Sequence, residues 1–597
     1  MNLGRKKELL KVAIFLVVFS TLNILFDNCS RFVTSSPVLD ASSSNQTGGG
    51  GSTNQVGGNT CTSSTIPRRV WFLPRSGFDQ SIRDVLGDQS NQATSLFAPE
   101  TRTNGFVDNE TGVSVDANLI GLVQQAAETI ATNQAQAQLK VAAANCAGMQ
   151  SGTSAFDTCV TSKIGSFIST LGKQLFRRPL TAAEITDMTG VYTAGFQNPD
   201  SGVDPALSGV QTLLSAFIQD PNFLYRTELG DPNDTTSTTP TMTQYEIASA
   251  ISYALTGSTP DSTLMAAADG NQLATPAQLA TQAQRLIAGA GGNMQLESFV
   301  MQWLGSDRIT EYGSANGPLT PGIASEMQTE TQTFIGENLF SGGGTLNSLL
   351  SSNFTYANTE LANYYGLTPG SSTDTGTFYK ISTGNQRNGI LSQGSFLATS
   401  NGSGVPLFHR GVVIRQKLLC QTLPSFAAVG LGGFTPPVPP PLSPGETTRQ
   451  EVTQLVPQGT TCYRCHQFFM PTGYGLENFD VFGRYQTTQN GGTVDASGFL
   501  SEPTSLDPST GTILDVQNPT ESSFNDFNGL VGVLMNDPNV PNCFARQIMV
   551  FVNGRSDVAN NDCQVMSLQQ NFQASGGNVV SGFLNYVQST HFVQRSR

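Results

Sequence analysis

The sequence predicts a mainly α fold, a helical body in several segments with a further helical region at its C-terminal end and few short strands. Three observations carry that expectation. Apolar residues recur at intervals of three and four, as in Val210, Leu213, Leu214, Phe217 and Ile218, which places them on one face of a helix. Two capping boxes, Thr181-x-x-Glu184 and Thr243-x-x-Glu246, satisfy the backbone N–H groups that a helix start leaves unbonded. The two-residue alternation of a half-buried strand is scarce.

In chain order, residues 1–28 read as a signal or membrane anchor. Arg5, Lys6, Lys7 and Lys11 precede an apolar run from Val12 to Phe26, shorter than the ~20 residues a spanning helix needs. Cys29 follows where a lipoprotein carries its acylated cysteine, although Phe26-Asp27-Asn28 is a poor lipobox. Membrane contact is therefore expected through this segment or through lipid at Cys29. Residues 29–65, rich in Ser, Thr, Asn and Gly with no large side chains to bury, read as a flexible tether. Segment 66–235 holds the Thr181 box, with Ile185, Met188 and Tyr192 facing inward, and the 210–218 helix. Segment 236–434 opens at Thr243 before Ile247, Ile251 and Leu255, and continues through Leu279, Leu286, Ile287, Phe299, Trp303 and Leu304. Short strands are expected within Thr368 to Thr383 and Gly491 to Leu500. Six prolines between Thr435 and Pro444 force an extended connector at 435–445, leaving 446–597 as the last segment.

Composition narrows the class of function. Across 597 residues there are 30 Lys plus Arg against 44 Asp plus Glu, a net charge of −14, so no general attraction to nucleic acid exists and none is expected as a partner. Charged residues make up 12%, about half the usual ~25%. Neutral polar residues and glycine replace them, as in exported proteins.

The sharpest chemical signal is Cys462-Tyr463-Arg464-Cys465-His466, the spacing of a c-type haem attachment site. Two thiols at i and i+3 on a helical turn reach the two vinyl groups of one porphyrin edge, and the adjacent imidazole can turn beneath the iron. Zinc is disfavoured because His409 and His591 are the only other histidines and no second Cys-x-x-Cys exists. One covalent haem c is the expected cofactor. Cys462 and Cys465 are its anchors and His466 its proximal ligand, with Arg464 and Arg484 the arginines nearest in sequence for its propionates. Haem c is attached outside the cytoplasmic membrane, so the expected location is extracytoplasmic: periplasmic, outer-membrane-associated or at the cell surface.

The segment from Cys462 to Tyr485 resembles the haem block of the planctomycete-type cytochrome c-like secreted proteins, a multi-segment family also found in myxobacteria and related bacteria. Further blocks are similar to that family in the right order: Arg68-Arg69-Val70-Trp71 to Gly87, Phe176 to Thr181, Asp220 to Arg226, Tyr245 to Asp261, Asn363 to Leu367, and His409-Arg410-Gly411 to Cys420. The resemblance implies a cytochrome c-like helical C-terminal region in a secreted protein, without an assigned reaction. Met470-Pro471 departs from the family, which usually has Asp before that proline. Met470 lies one turn after His466, on the same side, and is expected to pack at the porphyrin edge rather than bind the opposite iron face.

For that opposite face, Met535 is the first candidate ligand, with Met549, Met566, His409 and His591 as alternatives. Spacing suggests disulfides Cys146–Cys159 and Cys543–Cys563, and parity leaves Cys61 with Cys420. Paired arginines at 68/69 and 177/178, and the carboxylates of Glu477 and Asp480, read as structural. The leading functional expectation is an exported c-type haem protein passing electrons to or from a partner protein or small molecule. An extracytoplasmic haem oxidoreductase or peroxidase-like enzyme, and a non-enzymatic scaffold with a Cys462–Cys465 disulfide and no haem, are the alternatives.

Overall fold

The computed structural model describes residues 53–56, 59–144, 146, 148–370, 376–400, 405–423, 442–460, 463, 466–506, 513–517, 522–555 and 557–597. The apolar run, Cys29, Cys462, Arg464, Cys465 and most of the proline-rich stretch lie outside them. Among the described residues no helix is long and apolar enough to cross a membrane.

The protein is mainly α, with short two-stranded pairs. Helices Arg75–Leu86, Ala117–Ala142, Ser154–Phe176, Ala182–Gln197 and Pro205–Gln219 share one apolar core that includes Ile82, Val123, Ile130, Ile168, Leu175, Leu214 and Phe217. Both predicted capping boxes form. All five residues of the 210–218 face are buried, as are Ile247, Ile251 and Leu255 on Gln244–Thr256.

The largest core gathers residues from Phe106 through the central helices to Phe592. Phe299, on Ala290–Leu304, packs within 5.0–5.6 Å of the rings of Phe544 and Phe583 from the C-terminal helices. The proline-rich break in composition is thus not a break in packing. Burial of this kind rewards contacts between residues hundreds of positions apart, which periodicity within a window does not register.

The expected strands appear as Tyr379–Ser382, paired with Phe354–Ala357, and as Gly492–Thr493 and Gly498–Phe499, paired with Thr488–Gln489 and Ser523–Phe524. An unexpected pair joins Arg69–Phe72 to Tyr225–Glu228, with Trp71 opposite Arg226. The ring of Trp71 lies between the guanidinium groups of Arg69 and Arg226, each 4.3 Å from its centroid. Arg69 and Arg595 both pair with the buried carboxylate of Glu228.

Two cysteine pairings differ from expectation. Cys146–Cys159 forms as predicted, but Cys543 bonds Cys420, and Cys563 bonds Cys61. Loop-closure entropy grows only slowly with length, so spacing is a weak guide once tertiary packing has set which thiols meet. The Cys61–Cys563 bond also alters the reading of the tether. Its last residues form a hairpin, Thr53–Val56 with Asn59–Thr62, fastened to the C-terminal region by that disulfide and by a backbone bridge from Thr62 to Asp562.

Candidate functional site

The site is built on a close crossing of two helices. Pro406–Val413 lies against Met470–Gly473, and glycine permits the contact. A Cβ on Gly411 would sit 2.2 Å from the Phe469 carbonyl oxygen, and one on Gly473 would sit 1.9 Å from that of Leu407. Neither position holds a larger residue without a backbone shift.

The residue beside Gly411 fixes the loop beyond the crossing. Arg410 is fully buried and donates to the carbonyls of Leu476 at 3.0 Å, Phe479 at 2.7 Å, Asp480 at 2.6 Å and Leu397 at 3.2 Å. Burial pushes its guanidinium down to about 10, yet the planar fork of donors suits converging carbonyls. Arg387, also fully buried, donates to Ser392 and Gly483 carbonyls and lies 3.9 Å over the Tyr365 ring. Asp480 accepts from the backbone N–H groups of Phe482 and Arg484, both at 2.9 Å, and pairs with the Arg484 side chain. Arg484 is therefore engaged by Asp480. Glu477 is buried near Arg410, and desolvation raises its carboxyl to about 7. Arg69 and Arg177 likewise serve the fold. Arg177 donates to the carbonyls of Asn222, Phe223 and Tyr225.

This frame presents His466. Gln467 N–H donates to the Tyr463 carbonyl at 2.9 Å, the i to i−4 spacing of a helical hydrogen bond. Residues on either side form a small apolar cluster of their own, made of Leu407, Val452, Phe468, Phe469, Met470 and Tyr474 with Phe408 and Tyr463 against it. Met470 is a member of that cluster. The His466 ring is half-buried, with the Phe408 ring 4.2 Å away at 77° and that of Phe469 at 5.1 Å. Desolvation lowers its pKa to about 4, so the imidazole is neutral at physiological pH, and its buried Nδ1 has no hydrogen-bond partner among the described residues. A neutral imidazole in an apolar shell fits the requirements of a haem ligand.

None of the candidates for the opposite face is a member of this cluster. Met535, on Phe527–Asn536, packs against the large core and lines a cavity of about 360 Å³ with Leu346, Pro538 and Phe572. Neither His466 nor its ring neighbours line that cavity. Met549 is fully buried in the large core. Met566 and His591 are half-buried on C-terminal helices. His409 is exposed although its neighbour Phe408 touches His466. Sequence reading passed over Phe408 and Arg387. The available signal for Phe408 was an aromatic residue directly before His409-Arg410-Gly411.

Four family models match in series: PSD3, Protein of unknown function (DUF1587), at 73–136; PSD5, Protein of unknown function (DUF1595), at 164–228; PSD4, Protein of unknown function (DUF1592), at 242–367; and PSCyt3, Protein of unknown function (DUF1588), at 387–489. Together they cover more than half of the chain, and the last contains the Cys-x-x-Cys-His sequence. No curated protein and no solved structure matches the chain.

Proposed function

Because the chain belongs to the multi-segment planctomycete-type cytochrome c-like family, we propose that it is an exported c-type haem protein that passes electrons to or from a partner. The supporting observation is the neutral His466 imidazole, set in its own apolar cluster within the Cys-x-x-Cys-His sequence. Cys462 and Cys465 would anchor one haem by thioether bonds and His466 would bind its iron. When bound, the haem supplies reversible one-electron oxidation and reduction. The protein's own part is to keep the imidazole uncharged, to limit water around it with Phe408, Phe469 and Met470, and to hold the supporting loop rigid through Arg410.

Three disulfides support folding in an oxidising compartment, as does the charged-then-apolar N-terminal segment. The full chain produced with haem-attachment machinery tests the reading. A red protein whose reduced α-band survives acid-acetone extraction is expected, and a reduced spectrum insensitive to carbon monoxide favours electron transfer over an open catalytic site. A colourless, folded protein contradicts the proposal.

A further inference from the structure

Resting on that haem reading, we propose that Phe408 is a positioning residue, fixing the plane of the His466 imidazole and so the direction in which its iron-binding nitrogen faces. A histidine that binds a metal is ordinarily oriented by a hydrogen bond from its second ring nitrogen to a carbonyl or carboxylate. Here the buried Nδ1 of His466 has no hydrogen-bond partner among the described residues. Aromatic packing takes over that duty. The Phe408 and His466 ring centroids are 4.2 Å apart at 77°, an edge-to-face arrangement that favours one orientation of the imidazole over others. Phe469 closes the set, 5.1 Å from His466 and 5.9 Å from Phe408.

The placement of Phe408 is itself determined by the backbone. It stands between Leu407, whose carbonyl touches Gly473, and the Arg410-Gly411 pair, which locks the helix onto the loop from Leu476 to Asp480 and onto Phe469. The aromatic ring therefore rides on a helix with almost no freedom to slide. A leucine at 408 keeps most of the apolar volume but removes the flat edge that selects the ring angle.

The experiment compares the wild type with Phe408→Leu and Phe408→Tyr, each produced as the full chain with haem-attachment machinery. The expected result is that all three bind haem, that Phe408→Leu shifts the low-spin electron paramagnetic resonance signal and the midpoint potential, and that Phe408→Tyr restores both. Loss of haem from a folded Phe408→Leu protein, regained in Phe408→Tyr, is the stronger form of the same result. Unchanged signal and potential in a red Phe408→Leu protein overturn this inference while leaving the haem reading intact. A colourless wild type overturns both. In haem-free protein, the ring-current shift of the His466 carbon-bound protons reads the contact directly. It should fall to the smaller contribution of Phe469 in Phe408→Leu and persist in full in Phe408→Tyr, and a shift unchanged in Phe408→Leu also contradicts the proposal.

Discussion

The guanidinium of Arg410 donates to the main-chain carbonyl of Phe479 across 2.7 Å, joining two sequence blocks 69 residues apart. The same side chain serves Leu397, Leu476 and Asp480, so one residue holds the loop that follows Met470–Gly473. Arg410→Met should destabilise the protein by about 3–5 kcal/mol, because buried carbonyls would lose their donor. Arg410→Lys should cost about 2 kcal/mol or more, since an ammonium cannot reproduce the fork. Chemical denaturation at neutral pH checks both values.

The helix crossing makes a second demand. Gly473→Ala places a methyl group 1.9 Å from the Leu407 carbonyl oxygen, and the helices must separate. A loss of about 1–3 kcal/mol is expected, together with weaker haem retention as Phe408 moves off His466. Gly532→Ala, at a helical position whose Cβ would meet open space, is the control and should leave haem retention unchanged and raise stability by up to about 1 kcal/mol.

Acid stability depends on Glu228, buried between Arg69 and Arg595. Burial alone would raise its pKa, but the two guanidinium groups hold it down at about 2. A carboxylate with a depressed folded pKa contributes stability above its unfolded value of 4.5 and loses it as pH falls towards 2. That loss should approach about 3 kcal/mol. Glu228→Gln should remove this acid dependence and cost about 3–5 kcal/mol at pH 7, where two buried cations lose their partner. Unfolding curves between pH 2 and pH 7 measure both effects.

The cysteine pairing is open to peptide mapping without reduction. Cross-linked peptides should join Cys61 to Cys563 and Cys420 to Cys543; a Cys543–Cys563 peptide would contradict the fold. Replacing both Cys61 and Cys563 with serine should cost about 2–5 kcal/mol and free the N-terminal hairpin.

The parts that were legible in the sequence are those decided locally. Helical spacing at Val210 to Ile218 and the boxes at Thr181 and Thr243 depend on residues within a turn or two, and each formed as predicted. The pairing of Cys61 with Cys563 depends on where two ends of a long chain meet, and no local pattern records that. The strand from Tyr225 to Glu228 was hidden because its partner lies far upstream and its arginine and glutamate look exposed until Asp108 pairs with Arg226, and Arg69 and Arg595 with Glu228. At the candidate site, His466 stood out by its motif. Phe408 did not, because its value lies in a contact made across the helix crossing.

The most direct test is the intact mass of the mature polypeptide produced in its native host. Each thiol adds across one vinyl group without losing an atom, so the account predicts a gain of one whole haem. That gain should be absent when Cys462 and Cys465 are both replaced by alanine. A mature chain carrying no haem mass, with Cys462 and Cys465 recovered as a disulfide, would contradict it.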